Sequence, residues 1–209
     1  MTAGGIRDRF RAQMRQEVKD AALRQLAEGG PGALSLNAIA KELGVSGPAL
    51  YRYFAGRDAL LTALILDAYA DLTAALAAAG HRLPDLAAAY RSWAVAHPHR
   101  YRLLFGAPLP GYDAHDERLA DAAQRALDVL LAGVGPGPQP TPALADDLRG
   151  WARRRGADHA DPTVALRAVT VWSRLHGLVS LEIEDNFRAL GLDPDHVFTA
   201  EVEALRSAR

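Results

Sequence analysis

An all-α fold is the prediction for this 209-residue chain, and three observations carry it. Alanine, the strongest helix former, occupies 42 positions. Apolar residues recur at spacings of three and four along most of the sequence. No long run alternates β-branched with polar residues, so nothing competes for a strand. A chain of this length should bury roughly 70% of its unfolded surface and needs no covalent staples.

Met14, Val18, Ala22 and Leu26, spaced by four, mark the first helix, which stops at Gly29-Gly30-Pro31-Gly32. Ser35 caps a short helix whose inner face is Leu36, Ile39, Ala40 and Leu43, ended by Gly44. Ser46 caps the next, which tolerates Pro48 in its first turn and runs to about Phe54. A long helix follows with Leu60, Leu61, Leu64, Ile65, Ala68 and Leu72 on its apolar face, reaching about Gly80. Shorter helices are predicted over 84–96, 98–105 and about 113–133. The stretch 133–142, GVGPGPQPTP, denies both helix and strand and is the clearest loop. A polar helix near 143–155 ends in Arg153-Arg154-Arg155-Gly156, whose cations read as a solvated helix end. Asp161-Pro162 opens a helix through about Leu190, and Asp193-Pro194 opens the last one, with Phe198, Val202 and Leu205.

The helix near 162–190 is apolar on two faces. One stripe is Val169, Trp172, His176, Val179, Ile183 and Phe187; the other is Val164, Val171, Leu175 and Leu178. Both must be covered. With the amphipathic final helix this points to a homodimer built as a four-helix contact; a monomer whose core wraps the helix is the alternative.

Charge and composition narrow the function classes. Residues 1–57 hold nine Lys/Arg and five Asp/Glu, a balance of +4, while the remainder is at −5 and holds all seven histidines. A basic head on an acidic body suggests two tasks, one of them facing a polyanion. There is no cysteine, which excludes disulfides, thiolate metal sites and Cys nucleophiles. No apolar run approaches a membrane span, and the start MTAGGIRDRFRAQMRQ lacks the apolar centre of a signal peptide. A soluble, cytoplasmic protein is expected. His97 and His99, separated by Pro98, do not share a helix face, so a metal site with His115 or His159 is not expected, nor is any cofactor. There is no Gly-rich phosphate loop, nucleophile elbow or His-Glu-x-x-His stretch. Ser180 and His176 lie four apart without an acid placed to orient the histidine, so an enzyme is not expected.

Residues 35–54, SLNAIAKELGVSGPALYRYF, have the helix-turn-helix arrangement: two short helices joined by Gly44-Val45-Ser46. Leu50 and Phe54, four apart, point inward. Pro48 and Arg52 each lie about 200° around the helix from Leu50 and so point outward, where base edges would be. Tyr51 and Tyr53 flank that face, with hydroxyls placed for phosphates, and Arg57 adds a cation just beyond. Arg7, Arg9, Arg11 and Arg15 form either an arm that reaches an adjacent minor groove or a solvated terminus.

The stretch from about Met14 to Leu61, including GVSGPALYRYFAGRDALL, resembles the N-terminal domain of the tetracycline-repressor (TetR) family of bacterial transcription regulators. The resemblance implies a three-helix DNA-binding head at 10–57 and a helical effector-binding and dimerisation body at 58–209. It also implies a repressor released from operator DNA by a small molecule. By position, Ser35, Tyr51, Tyr53 and Arg57 would contact phosphates; Gly47, Pro48 and Arg52, following the cap Ser46, would lie nearest the bases. The family's usual serine and lysine after the Phe are here Gly56 and Arg57, which keeps the charge and weakens the cap. HPHRYRLLFGAP (97–108) and WSRLHGL (172–178) are similar to a subgroup named for a Trp-His-Gly signature, matched by Trp172, His176 and Gly177. Tyr90, Trp93, Tyr101, Phe105, Trp172 and His176 are the candidate effector-pocket residues, several of which would equally serve as core. A helical small-molecule binding protein without DNA-binding function is the alternative reading, and sequence does not separate repressor from activator.

Overall fold

The structure is a computed structural model describing residues 3–106, 111–112, 116–154 and 161–207. His115, His159 and Arg155 lie outside the described residues. Among the described residues every element is helical. In chain order they are α1 (Ala3–Gly29), a 3-10 turn (Pro31–Ala33), α2 (Leu36–Glu42), α3 (Gly47–Leu50), α4 (Arg57–Ala78), α5 (Leu83–Ala96) and α6 (Pro98–Phe105). Then come α7 (Glu117–Ala132), α8 (Pro142–Arg154), α9 (Pro162–Ile183), α10 (Asn186–Ala189) and α11 (Pro194–Ser207). Two compact units emerge: Met1–Ala68 with His99–Ala120, and Tyr69–Pro98 with Asp121–Arg209.

The core of the first unit is the set the spacing predicts. Val18, Ala22 and Leu26 of α1 meet Leu36, Ile39 and Ala40 of α2, Leu50 and Phe54 around α3, and Leu60, Leu61 and Leu64 of α4. Gly44 stands at φ 66°, a left-handed turn that a side chain would strain. α4 is long and apolar enough to cross a membrane by length and composition. Counted as an unbroken apolar run it falls short, because Asp67 and Asp71 interrupt it. Asp67 pairs with Lys19 of α1 at 2.6 Å, and the Leu60–Leu61–Leu64 face is buried, as in a core helix.

α1 begins at Ala3, so Arg7, Arg9, Arg11 and Arg15 sit on regular helical turns and not on an extended arm. The second difference is in α9. The pattern predicts one helix to about Leu190, yet α9 ends at Ile183 and the chain restarts as α10. Asp185 adopts φ 59°, a conformation that Asp tolerates better than most residues. The run Glu184-Asp185-Asn186 offers no apolar residue to hold a further turn on the core. The break instead lets Phe187 become buried, and Gly191 at φ 68° ends the short helix.

In the second unit α9 packs on α5 and α8, and α11 packs on both α5 and α9. Val171, Leu175, Leu178 and Val179 are the buried face of α9. Val169 and Trp172, from the other predicted stripe, remain 39% and 36% exposed. One guanidinium ties three helices together. Arg91 of α5 donates from Nε and Nη2 to the two Glu182 oxygens of α9, at 2.7 Å each. Nη2 also donates to Asp195 Oδ1 of α11 at 2.6 Å, and the guanidinium carbon lies 4.8 Å from the Phe198 ring centre. The Glu182 bonds, followed by the Asp195 bond, hold Arg91 above its ordinary pKa. Arg91→Ala leaves the largely buried Glu182 carboxylate unpaired and should cost about 2–3 kcal/mol, a drop of several degrees in Tm. Arg91→Met with Glu182→Leu should recover much of that loss, which thermal melting of the three proteins checks.

Candidate nucleic-acid interface

The eight predicted contact residues all belong to the first unit, on or next to α2, α3 and the start of α4. Ser35 caps α2: its Oγ accepts from the Ala38 N–H at 3.3 Å, while its own N–H donates to Gln25 Oε1 of α1 at 2.9 Å. Ser46 caps α3 in the same way, accepting from the Ala49 N–H at 3.3 Å. A capping hydroxyl uses a lone pair and keeps its hydrogen, so both serines retain a donor for phosphate. A Cβ on Gly47 would meet Asn37 Oδ1 at 3.8 Å, an ordinary contact, so the packing of the head does not by itself require glycine there.

α3 is a single turn, prolonged by tighter bonds from Arg52 to Ala49 O at 3.3 Å and from Tyr53 to Leu50 O at 2.9 Å. Leu50 and Phe54 are buried, and Pro48, Tyr51 and Arg52 are exposed, Tyr51 to 52%. The outward face is therefore the one that the spacing assigns. Tyr53 differs from its neighbour Tyr51: it is half-buried and packs on the head core. Arg57 opens α4, with its guanidinium 3.8 Å from the Asp58 carboxylate.

Sequence reasoning misses what holds this turn in place. Arg15 of α1 donates from Nη1 to the Tyr53 carbonyl, and its guanidinium carbon lies 4.3 Å from the Phe54 ring centre. Arg11 reaches the Arg52 carbonyl at a longer 3.5 Å. A cation on the last carbonyls of a helix satisfies them and opposes the negative end of its dipole. The partners are about forty residues apart in sequence, so no local spacing signals the contact.

The six candidate effector residues fall into two groups. In the second unit Tyr90, Trp93, Trp172 and His176 draw on α5 and α9. The Tyr90 hydroxyl lies 3.4 Å from His176 Nδ1, and Trp172 stacks on the His176 ring at a 5.5 Å centroid distance. Trp93 is buried, and its Nε1 has no hydrogen-bond partner among the described residues. Tyr101 and Phe105 belong to the first unit, with ring centres 5.1 Å apart.

The chain matches two family descriptions: "Bacterial regulatory proteins, tetR family" over residues 19–64, and "Tetracyclin repressor-like, C-terminal domain" over residues 83–205. The chain belongs to the tetracycline-repressor family. It is similar to the HTH-type transcriptional regulator Rv1816 of Mycobacterium tuberculosis, 34% identical over 96% of this chain and 94% of that protein. A solved structure of a candidate regulatory protein, SCO4313, is 45% identical with a TM-score of 0.86, covering 95% of this chain and 97% of the other. A structure of a protein of unknown function from Rhodococcus sp. RHA1 is 27% identical with a TM-score of 0.68, covering 93% and 95%. This TetR-family chain is a DNA-binding transcriptional regulator with a helix-turn-helix head and a helical body.

For this regulator, Arg15→Gln should cost about 1–2 kcal/mol of stability, the sum of a cation–π contact and a helix-end bond. It should weaken DNA binding while leaving far-UV circular dichroism unchanged. A second expectation concerns His176, whose pKa burial pushes below the ordinary imidazole value. The unfolded chain then takes up the proton first, so the folded state loses stability as pH falls through about 6.5, and the effect is absent above that range. Melting wild type and His176→Gln between about pH 8 and pH 5 should show wild type losing ground at the acid end.

Proposed function

We propose that this TetR-family regulator is a homodimeric, cytoplasmic repressor that leaves its operator when a small molecule binds the body. In this reading residues 10–57 bind DNA, and 58–209 bind the effector and the second subunit. The observation that carries it is the face of Pro48, Tyr51 and Arg52, exposed on a turn whose opposite side, Leu50 and Phe54, is buried in the head. Pro48, Arg52 and Gly47 face the base edges of a major groove; Ser35, Ser46, Tyr51, Tyr53 and Arg57 hold phosphates on its walls. Two heads related by a two-fold axis read an operator with approximate two-fold symmetry.

The exposed Val169 and Trp172 on α9, beside α11, support the subunit contact. Tyr90, Trp93, Trp172 and His176 are the proposed effector residues of the second unit, and Tyr101 and Phe105 are separate candidates in the first. A buried indole N–H without a protein acceptor suits a ligand oxygen or a water. The effector shifts DNA affinity by no more than its own preference for one body conformation over the other.

Fluorescence anisotropy against DNA flanking its own gene, across a salt series, tests the reading. If ~6–10 phosphates are neutralised, affinity should fall ~10³–10⁵-fold between about 50 and 200 mM salt, with specific DNA outlasting unrelated DNA. Tyr51→Phe with Arg52→Ala should abolish that preference at an unchanged melting temperature. Activity untouched by the double substitution would turn the reading toward a small-molecule binding protein.

A further inference from the structure

The first residue of α1 buried in the head core is Val18, and the stretch from Gly5 to Gln13 is exposed, beyond what that core covers. As the continuation of a helix whose later turns are packed in the core, it needs no nucleus of its own. It is also unusual in composition. Arg7, Arg9, Arg11 and Arg15 stand against Asp8 and Glu17, while Ile6 and Phe10 are 57% and 60% exposed. Its first turn carries no acid to favour the helix start.

The extension runs beside the end of the recognition turn. Ile6, Arg7, Phe10 and Arg11 line one groove, of about 500 Å³, with Arg52 and Tyr53. Arg7 and Arg11 are four residues apart on one face, hence about 6 Å apart along the axis. Phosphates on one strand advance ~3.4 Å of helix axis per step, so two such cations span two steps. The groove is therefore part cationic and part apolar, and it is shared with a residue of the base-facing surface. A sugar–phosphate strand has that alternation: anionic oxygens between the C–H faces of deoxyribose.

We propose that the N-terminal turns of α1 lie along the sugar–phosphate backbone of the duplex that α3 enters, Arg7 and Arg11 meeting phosphates and Ile6 and Phe10 lying against deoxyribose. This rests on the DNA-binding reading above and lengthens its footprint with sequence-independent contacts. The arginines act from a rigid helix and not from an arm that folds into the minor groove.

The test uses the full chain and fluorescence anisotropy on two duplexes, one flanking the gene and one of random sequence, across a salt series. Arg7→Ala should weaken both complexes by the same factor and reduce the log–log salt slope by about 0.9 for each head engaged. Arg7→Lys should restore the slope, and Phe10→Ser should weaken binding at an unchanged slope. Wild type and Arg7→Ala should melt together, since Arg7 is exposed. A wild-type slope in Arg7→Ala overturns the proposal, whether or not that variant melts lower. So does a loss confined to vesicles of anionic lipid, which would assign the groove to a membrane surface. Failure of wild type to bind either duplex at low salt overturns the DNA reading itself, a distinct outcome.

Discussion

The recognition turn cannot stand alone, and the head is arranged around that constraint. A helix of four residues has almost no internal hydrogen bonding to hold it, and nucleation is unfavourable at that length. Its geometry is imposed from outside. Leu50 and Phe54 are locked in the core, Ser46 satisfies its first turn, and Arg15 closes its last carbonyls while lying over the Phe54 ring. α1 is thus more than a scaffold beneath the motif. It supplies the cation that closes the turn after α3, and through Lys19 and Asp67 it is tied to the middle of α4 as well. Exposed Tyr51 and Arg52 are held by their neighbours' burial, which leaves their side chains uncommitted in the core and turned to solvent.

The second unit solves a related problem with a charge. Three helices meet at Arg91, and two carboxylates with an aromatic ring satisfy it. Such a knot adds little net stability over an apolar replacement, because desolvation offsets the attraction. It adds register. A bidentate guanidinium–carboxylate pair allows one relative position of α5 and α9, whereas leucines against alanines would tolerate sliding. The break after Ile183 belongs to the same packing. Once Phe187 turns inward and Asp185 takes the left-handed turn, α11 can return to place Asp195 and Phe198 on Arg91.

Much of this was legible in the sequence because it is local. Spacings of four identified Val18, Leu26, Leu50, Phe54 and Leu60 as core; Ser35, Ser46, Gly44 and Pro194 marked ends. What escaped was non-local or depended on a competition. Arg15 on the Tyr53 carbonyl and Arg91 on Glu182 join positions 38 and 91 residues apart, which no periodicity encodes. Leu190 fits the helical pattern opened at Pro162, but that pattern carries no measure of the burial Phe187 gains when the helix breaks. Tyr51 and Tyr53 look equivalent in sequence as flanks of Arg52. Only the packing shows one free of the core and the other half inside it.

The charge division between the two parts of the sequence has a physical meaning that the net charge of −1 conceals. At physiological salt a charge is felt over about 8 Å, so an approaching polyanion responds to the groups near its point of contact and hardly to the sum. A chain whose first 57 residues carry +4 and whose remainder carries −5 therefore does not act on such a ligand as a nearly neutral body. Arg7, Arg9, Arg11 and Arg15 in the first half of α1 account for four of the nine cations in the basic segment. Because they are carried on helix, their spacing is fixed before any encounter, and little conformational entropy is lost when they meet a regular row of phosphates. A disordered arm with the same arginines would carry the same charge and lose that advantage, which is why the helical start of α1 matters more than its composition.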